Sequence, residues 1–584
     1  MEEAALYLVM PGVFTNVSNC CWCPVPVNRI CANIVLFHRF INYLQLHWKA
    51  VRTGASKMGN TLRLVFVFIF ASLIVKSESA KILGLFATFG RSHLIIDEAV
   101  MQPLIDRGHD VTIVTTLPLH SPIKGCRHIQ LNVPPPPKNL RSGANMESGK
   151  FTNMWQNYKK FMEFSLQYGN RTLNDPAMRQ LMSEEVFDLV ILDVYFNTFQ
   201  IGLAAHFKCP FVFIIMQRPI KLFGDLVGNP LELTYVPNVI MGNIQPMSFL
   251  NRVKNVLATF VGEYASAWYL NYRMEEFYNY NFPSGRFPSY KEMIRNISLI
   301  LTCSHFSEGT VRPNVPAVIE IAGIQAKSKP YPLPKDIKEF LDSAKDGAVY
   351  FSLGSNIRSV DMNLEKIKIL YKVLSELKQR VIWKWEEGAP PGRASNILFK
   401  QWFPQDDILA HPNVKLFITH GGHGSVVESK YHGVPMVGIP LFSDQFSNVN
   451  DVVKAGYGLS LRIEEITVEK FRSTVEEVLY NPTYRIKLQE FSRIYRDRPM
   501  SPKDTAAYWI EYVIRHRGAK HMQSPAVHMN FIQLYGLDVF AFLFVILYVV
   551  FKVLFFVFRK VVHLLFGRKY KNQKQDSNKQ KKNQ

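Results

Sequence analysis

Short, unbroken apolar runs alternate with helical patterns along most of this chain. The run from Lys81 to Thr88 (KILGLFAT) precedes a helical pattern that stops at Gly108, and Asp110 to Thr115 (DVTIVT) is the next run. Phe187 to Asp193 (FDLVILD) is a further run of the kind that is buried in parallel sheets. Parallel strands joined by helices form β-α-β units. The alternation therefore predicts an α/β fold built on a parallel sheet.

A second alternation of the same type begins after a linker near Pro330 that is rich in proline and lysine. Ala348 to Leu353 is a predicted strand, and Leu364 to Leu377 is a predicted helix. With 584 residues, the chain is too long for a single core. We therefore predict two Rossmann-like, doubly wound domains that face each other across a cleft, at 80–325 and at 326–535 with closing helices.

The segment from Val539 to Phe558 holds twenty residues with one charge, Lys552, and is long enough to cross a bilayer as a helix. A buried helix of a large soluble domain is the alternative. The following tail, 559–584, carries nine Lys or Arg and one Asp, so it contributes +8 of the net charge of +21. The basic excess is therefore partly terminal, and no nucleic-acid-binding module accompanies it. By the positive-inside rule, the tail is predicted to be cytosolic.

An apolar run from Leu64 to Val75 follows a basic residue and precedes small residues that end at Ser79. This pattern is typical of a secretory signal peptide, which we place at 58–79 with Ala80 as the first mature residue. Residues 1–57 form an atypical extension ahead of it. The extension carries four of the seven cysteines: Cys20, Cys21, Cys23 and Cys31. Their spacing lacks the paired frame of a zinc knuckle, which is therefore not favoured.

A lumenal body, one span and a short basic tail predict a single-pass type I membrane protein. Lys581 and Lys582 stand fourth and third from the end, a spacing that resembles the dilysine retrieval signal of endoplasmic-reticulum membrane proteins. Glycosylation sequons at Asn170 and Asn296 agree with a lumenal compartment. The body keeps three cysteines, so no disulfide framework is expected: Cys126, Cys209 and Cys303.

The stretch from Phe417 to Gln445 (FITHGGHGSVVESKYHGVPMVGIPLFSDQ) is the most informative part of the chain. Its residues 419–425 form a glycine-rich loop between a predicted strand and a predicted helix, where backbone amides can approach an anion. Glu428 lies about one turn into that helix, where a carboxylate can accept hydrogen bonds from two adjacent hydroxyls. Asp444 and Gln445 sit in the next strand-to-helix loop, on the same sheet edge. Together these groups predict a site for a phosphate, a ribose and a second polyol.

Two histidines, His420 and His423, lie in the same glycine-rich loop. His420 adds a hydrogen-bond donor next to the predicted anion. The two rings could also form a metal pair, but a glycine-rich loop favours contacts between backbone amides and a phosphate over a metal ion. We therefore expect no metal ion in this loop.

The same stretch resembles the signature of family 1 UDP-glycosyltransferases along its whole length. Phe351 to Ser355 (FSLGS), Trp402 to Gln405 (WFPQ), Arg312 to Pro316 (RPNVP) and the C-terminal apolar segment look like the same family. The resemblance covers residues 80–584. Within the family, the chain looks most like the arthropod members. It implies the GT-B architecture, with an acceptor-binding domain followed by a domain that binds a UDP-sugar.

The resemblance also implies which residues bind the UDP-sugar. They are Trp402 and Gln405 for uracil, Glu428 for the ribose, Ser355, His420, Gly424 and Ser425 for the diphosphate, and Asp444 and Gln445 for the sugar. Some relatives carry Asn where this chain has Gly424, so any phosphate contact there is expected to come from the backbone. No cofactor or metal ion is implied, and the UDP-sugar is a co-substrate.

Two titratable residues follow predicted strands of the first domain. His93 comes after the first strand and Asp193 ends the run FDLVILD, so both are expected at the carboxyl edge of the sheet. By resemblance to the family, His93 is the general base and Asp193 orients it. A helix-capping His93 and a plain strand end at Asp193 are the structural alternatives. His109 is a rival base, but it precedes a strand and therefore faces the opposite edge.

These observations predict an inverting glycosyltransferase that moves a hexose from a UDP-sugar to a hydroxyl of a small lipophilic acceptor. Resemblance to arthropod members favours UDP-glucose over UDP-glucuronate as the donor. The sequence does not identify the acceptor, and it leaves both a monomer and a homo-oligomer open. A non-catalytic ligand-binding relative with the same fold is the alternative, which the presence of His93 and Asp193 disfavours. An epimerase that acts on the UDP-sugar alone is disfavoured by the membrane anchor.

Overall fold

A computed structural model of the chain describes residues 79–88, 90–120, 122–135, 151–238, 245–308, 311–355, 358–441 and 444–583. The extension at 1–57 with its four cysteines, and the signal peptide except for Ser79, lie outside these residues. Residues 78–584 form one compact unit.

The first sheet has seven strands, all parallel, in the order β3-β2-β1-β4-β5-β6-β7. The strands are β1 Lys81–Phe86, β2 Asp110–Thr115, β3 Cys126–Gln130, β4 Leu189–Asp193, β5 Phe211–Ile215, β6 Leu299–Thr302 and β7 Val318–Glu320.

The second sheet has six strands, also all parallel, in the order β10-β9-β8-β11-β12-β13. The strands are β8 Ala348–Ser352, β9 Arg380–Lys384, β10 Ile397–Lys400, β11 Val414–Thr419, β12 Met436–Gly438 and β13 Gly458–Ser460. Two parallel sheets flanked by helices confirm the predicted pair of Rossmann-like domains.

The helices of the first half are α1 Arg91–Asp106, α2 Phe151–Leu173, α3 Pro176–Glu184, α4 Gly202–Phe207, α5 Lys221–Gly224, α6 Phe249–Ala258, α7 Ala265–Asn281 and α8 Tyr290–Ile294. Those that follow are α9 Lys335–Asp342, α10 Leu364–Ser375, α11 Gln405–Leu409, α12 His423–His432, α13 Gln445–Ala455, α14 Val468–Tyr480, α15 Pro482–Arg496, α16 Pro502–Arg515, α17 Phe531–Leu534 and α18 Leu537–Lys582.

The apolar runs become strands because both faces of each sheet are covered by helices. All five residues of β4 and of β5 are buried, as expected for central parallel strands. Helix α1 ends at Asp106, and Gly108 adopts a φ of +86° that turns the chain toward β2. Strand β1 then lies between β2 and β4, at the centre of the first sheet.

Each sheet has one point where the strand order reverses direction. In the first sheet it falls between β1 and β4, and in the second between β8 and β11. Loops after two such strands diverge to opposite faces, which opens a crevice for a ligand at their carboxyl ends. The segments after β1, β4, β8 and β11 therefore form the two candidate halves of a site.

Helix α16 returns from the second half of the chain to the first sheet. Its side chains Ala506, Ile510 and Val513 are fully buried in the core of the first domain. Arg107 at the end of α1 binds Asp504 at 3.0 Å and Glu511 at 3.2 Å. The C-terminal helices thus tie the two domains together.

The last helix, α18, is longer than the span predicted at 539–558. Its apolar part, Leu537–Gly567, has no buried residues and contains an 18-residue window with a mean hydropathy of 2.8, so it is long and apolar enough to cross a membrane. The predicted tail at 559–584 is not separate from it, because the helix continues to Lys582. Lys581 and Lys582 are exposed at its end.

The two sequons lie in different surroundings. Asn170 is inside α2, where its Oδ1 accepts hydrogen bonds from Asn174 and Asn281, and Thr172 of the same sequon is fully buried. Asn296 is exposed in the turn after α8. Cys126, Cys209 and Cys303 are free thiols in the described part of the chain.

Candidate active site

His93 and Asp193 meet at the strand-order reversal of the first sheet. His93 lies in the first turn of α1, after β1, and Asp193 is the last residue of β4. His93 Nδ1 is 3.5 Å from Asp193 Oδ2, slightly longer than an ordinary hydrogen bond. The Asp193 side chain is 3% exposed, whereas that of His93 is 27% exposed. The imidazole therefore has a buried carboxylate on one side and an open side toward the crevice.

The rival histidine, His109, lies at the other edge of the sheet. Its Nδ1 accepts a hydrogen bond from the backbone amide of Ala80, and its Nε2 is 3.5 Å from Glu511. Both ring nitrogens therefore have partners, one just before β1 and one on α16, away from the crevice.

Sequence reasoning missed Asp97, which lies one helical turn after His93 on α1. Asp97 is fully buried, and neither of its carboxylate oxygens has a hydrogen-bond partner among the described residues. Burial and the nearby charge of Asp193 raise the pKa of Asp97 well above its usual value. The sequence signal that could have identified Asp97 is an acidic residue that directly follows the apolar residues 94–96 (LII). Asp97 and Asp193 together form a pair of buried acids behind the histidine.

Aromatic side chains border the open side of His93. Tyr195 meets the imidazole edge to face, with ring centroids 5.8 Å apart. Phe161 of α2 and Phe196 pack on Tyr195 with centroid distances of 5.6 and 4.6 Å. Since Tyr195 is 36% exposed, this aromatic wall offers apolar surface directly beside the predicted base.

The glycine-rich loop of the second domain starts where β11 ends, at the second reversal of strand order. Gly354 has a φ of +83°, and a Cβ there would lie 2.4 Å from His420 Cε1. Only glycine therefore allows the FSLGS turn to pack on His420. Burial, together with the charge of Lys384, lowers the pKa of His420 to about 4, so the ring is neutral at physiological pH. Ser355 follows Gly354 in this turn, and Gly424 lies in the first turn of α12.

Lys384, the last residue of β9, is a second residue that the sequence analysis did not identify. It is 6% exposed, and its Nζ donates to the carbonyl oxygen of Gly354. The ammonium lies 5.1 Å from the ring centroid of Trp402 and 3.5 Å from Glu386. A buried cation therefore stands between the aromatic ring predicted for uracil and the loop predicted for the diphosphate.

Trp402 presents its ring to the cleft and is 42% exposed. The ring of His120, from the loop after β2 in the first domain, lies 5.4 Å from it between centroids. The structure thus brings the predicted uracil platform against a residue of the opposite domain.

Gln405, Ser425 and Glu428 form one hydrogen-bonded group. The Gln405 amide donates to Ser425 Oγ at 3.1 Å and to Glu428 Oε2 at 2.7 Å. Tyr350 donates its hydroxyl proton to Gln405 Oε1 at 3.3 Å. Burial, with the nearby charge of Asp406, raises the pKa of Glu428 to about 8. The side chain of Gln405 therefore orients Glu428.

Asp444 and Gln445 flank the start of α13 rather than sitting together in a loop. Gln445 is the first helical residue, and Asp444 stands at the N-cap position with helical dihedral angles and without a side-chain capping hydrogen bond. Asp444 Oδ2 accepts from Asn448 at 2.7 Å, and Gln445 Oε1 accepts from the amide of Leu441 at 2.8 Å. Asn448 also donates to the carbonyl of Gly421, which joins this corner to the glycine-rich loop.

The glycine-rich loop also contacts the first domain. His423 Nε2 lies 2.7 Å from the carbonyl oxygen of Cys303, directly after β6, and Lys430 Nζ lies 3.2 Å from Glu308 in a buried ion pair. His423 is therefore a bridge between domains. In the described ranges, no group of three metal-ligating side chains comes together.

Comparison with known proteins agrees with this arrangement. The family described as UDP-glucoronosyl and UDP-glucosyl transferase matches residues 81–571. UDP-glucosyltransferase 2 of Dactylopius coccus is 34% identical over 83% of this chain and 93% of that protein. Human UDP-glucuronosyltransferase 2B15 is 30% identical over 83% of this chain and 94% of that protein.

Among solved structures, a spinosyn forosaminyltransferase matches with a TM-score of 0.50 and 15% identity, over 75% of this chain and 100% of that one. At that identity the match concerns the fold alone, and the fold is GT-B. The family match spans both sheets and every residue of the two candidate half-sites. The chain is therefore a member of the family of UDP-glucuronosyl and UDP-glucosyl transferases.

Proposed function

We propose that the protein transfers a hexose from a UDP-sugar to a hydroxyl of a small lipophilic acceptor, with inversion at the anomeric carbon. The observation that carries this proposal is the His93–Asp193 pair, 3.5 Å apart at the strand-order reversal of the first sheet. A base with an open side and a buried carboxylate behind it is the arrangement that activates a hydroxyl.

In the proposed reaction, Asp193 holds the His93 ring through Nδ1, so Nε2 is the atom that takes the acceptor proton. The acceptor oxygen attacks C1 of the sugar while the bond from C1 to the diphosphate oxygen breaks and UDP leaves. Attack from the face opposite the leaving group inverts C1. Negative charge on UDP is stabilised by the amides at the start of α12 and by Lys384.

The donor is proposed to lie along the carboxyl edge of the second sheet. Trp402 stacks on uracil and Gln405 hydrogen-bonds to it. Glu428 accepts from the ribose hydroxyls, and Gln405 also donates to Glu428 and holds it in place. Ser355, His420, Gly424 and Ser425 surround the diphosphate, while Asp444 and Gln445 bind the sugar. No metal ion and no organic cofactor is assigned to the reaction.

UDP-glucose is the proposed sugar donor, with UDP-glucuronate as the alternative. The arthropod relative at 34% identity is named as a glucosyltransferase, and the human relative at 30% identity as a glucuronosyltransferase. The aromatic wall formed by Phe161, Tyr195 and Phe196 supports a lipophilic, ring-containing acceptor. An aromatic ring of the acceptor would gain stacking or edge-to-face contacts with these side chains.

We further propose that the protein is a type I membrane protein of the endoplasmic reticulum with a lumenal catalytic body. The apolar helix Leu537–Gly567 supports the anchor, and the basic tail with Lys581 and Lys582 supports a cytosolic C-terminus and retrieval. Exposure favours Asn296 over Asn170 as a glycosylated residue.

Release of UDP in the presence of a panel of phenols tests this function. UDP-glucose should turn over only when a phenol is present, and the product should carry the opposite anomeric configuration to the donor, as read from the proton coupling at C1. Parallel reactions with UDP-glucuronate separate the two donors. Turnover without acceptor would contradict transfer, and binding without turnover would favour a non-catalytic relative.

A further inference from the structure

Helices α6 and α7 and the turn between them carry a stripe of exposed apolar side chains. The segment 259–264 continues α6 into α7 through one widened turn, so 249–281 is a continuous helical run. The residues of this stripe recur at helical spacing: Phe249, Leu250, Val253, Leu257, Phe260, Val261, Trp268 and Tyr272. Four of them, Phe249, Leu250, Val261 and Trp268, are between 67% and 74% exposed, which is unusual for such large apolar groups.

The opposite face of the same helical run is buried. Asn255, Thr259, Leu270 and Met274 are at most 2% exposed, and Asn255 donates to the carbonyls of Leu233 and Val236. The run is therefore fixed on the first domain by one face. The helical run cannot bury the apolar stripe by turning it toward the domain, since the opposite face already packs there.

The exposed charges beside the stripe are basic. From 249 to 272 the single acidic residue is Glu263, which is partly buried and accepts hydrogen bonds from Asn238 and the amide of Lys221, while Arg252 and Lys254 are exposed. Apolar and aromatic residues on one side with basic residues at the border are the composition of helices that lie in a membrane interface. Trp268 and Tyr272 continue the stripe with the two residue types that favour the headgroup level.

The stripe is physically joined to the segment that precedes the apolar helix α18. Tyr264 and Tyr535 share a hydrogen bond between their hydroxyls at 2.6 Å, and the Tyr264 ring packs against Phe531. Tyr535 is two residues before Leu537, where α18 begins. If α18 crosses a bilayer, Tyr264 lies at the level where the chain enters it. From there to Phe249 the helical run extends over roughly 20 Å.

We propose that the stripe 249–272 lies in the interface of the same phospholipid bilayer that α18 crosses, and so holds the first domain against the membrane. The stripe is a second point of attachment, in the acceptor domain, next to the anchor. This inference rests on the proposed anchoring by α18. It goes beyond the proposed function because it assigns a membrane contact to residues outside the transmembrane segment.

The test uses the full-length protein in vesicles of phosphatidylcholine that contain a phosphatidylcholine with a diazirine on its acyl chain. After photolysis and digestion with trypsin, lipid adducts are mapped by mass spectrometry. The peptide from Asn255 to Arg273 contains no internal Lys or Arg and reports on the stripe. Peptides from 537–567 report on the anchor.

Adducts on both the 255–273 peptide and the 537–567 segment are expected. Adducts on the anchor alone would overturn the stripe proposal and leave the anchor intact. The absence of adducts on 537–567 would instead refute the anchoring on which the inference rests.

A matched pair of variants completes the test. The double change Leu257→Gln and Val261→Gln alters exposed residues, so the protein should fold, and adducts on 255–273 should fall severalfold. The control Ile486→Gln and Ile494→Gln changes two residues of α15 that are 54% and 57% exposed and should leave the adducts unchanged. Equal labelling in both variants would contradict insertion of the stripe.

Discussion

The side-chain amide of Gln405 donates to Glu428 Oε2 over 2.7 Å, and this hydrogen bond joins the loop proposed for uracil to the carboxylate proposed for the ribose. Because the pKa of Glu428 is raised to about 8, its carboxyl is largely protonated at neutral pH in the free protein. An ionised carboxylate offers both oxygens as acceptors to two neighbouring hydroxyls, whereas a protonated carboxyl has one oxygen occupied as a donor. Nucleoside binding should therefore release a proton.

We expect the affinity for uridine to rise between pH 6 and 8, by up to about tenfold per pH unit, and to level off above pH 8. Uridine is chosen because it has no phosphate that titrates in this range. Glu428→Gln should bind uridine more weakly and without the pH dependence. A wild-type affinity that is constant over this range would contradict the assignment of Glu428 to the ribose.

The corner formed by Asp444 and Gln445 is proposed to bind the sugar. Asp444→Ala should weaken UDP-glucose by about ten- to a hundredfold, the effect of losing a hydrogen bond to a charged group, and should barely change UDP. Glu428→Ala should weaken both ligands, since both contain the ribose. Calorimetry with the two ligands measures all four affinities. Equal losses for both ligands in both variants would overturn these roles.

Lys384 stands between Trp402 and the Gly354 turn, where the diphosphate is proposed to lie. Lys384→Met keeps most of the side-chain length and removes the charge. UDP affinity should fall about tenfold or more, while uridine affinity should change little. Lys400→Met, at the end of the neighbouring strand β10, is the control and should leave UDP affinity unchanged. A matching loss of uridine affinity in Lys384→Met would indicate that the lysine only supports Trp402.

Asp97 should make the stability of the protein depend on pH. Its folded-state pKa is raised, so the folded protein binds a proton that the unfolded chain releases above pH about 4. The free energy of unfolding therefore decreases as the pH rises from that value toward the raised pKa. Asp97→Asn keeps the side-chain volume and removes the ionisable group. It should raise the Tm relative to wild type more at pH 7 than at pH 4.5.

Asp106→Asn, an exposed change on the same helix, is the control, and its Tm should stay close to that of wild type at both pH values. Identical pH dependence of the Tm in the two variants would contradict the assignment of Asp97 as a buried acid.

Elements that depend on local pattern could be predicted from the sequence. β2 spans the predicted residues Asp110–Thr115, and the helix predicted through Leu94 and Ile105 is α1, because buried parallel strands and their helices leave clear apolar runs. The edge on which His93 and Asp193 meet follows from the same pattern, since Asp193 ends a central strand and His93 begins the helix that follows another.

Features that arise from packing between distant segments could not be predicted in this way. In the sequence, Asp97 is one residue of a predicted helix and Lys384 one residue of a predicted strand. Only the assembled sheets bring Asp97 close to Asp193 and Lys384 close to Trp402. The return of α16 to the first sheet, and the contact of Tyr264 with Tyr535, join residues that are far apart in the chain. The helix start at Gln445 was missed because the sequence FSDQ resembles a turn, although Asp444 already has helical dihedral angles at the N-cap position of α13.

The role of His93 as base is the central claim, and His93→Ala tests it most directly when kcat, UDP affinity and Tm are measured on the same preparation. Transfer to aliphatic alcohols should be lost, and transfer to phenols should fall by about a hundredfold or more and recover in part at high pH, since a phenol with a pKa near 10 loses its proton to solvent. UDP affinity should stay close to wild type, because the donor contacts lie on the second sheet. Asp193→Asn should lower kcat in the same way, since the amide favours the wrong tautomer of the ring. A His93→Ala protein that is folded, binds UDP and keeps the wild-type kcat would contradict the account.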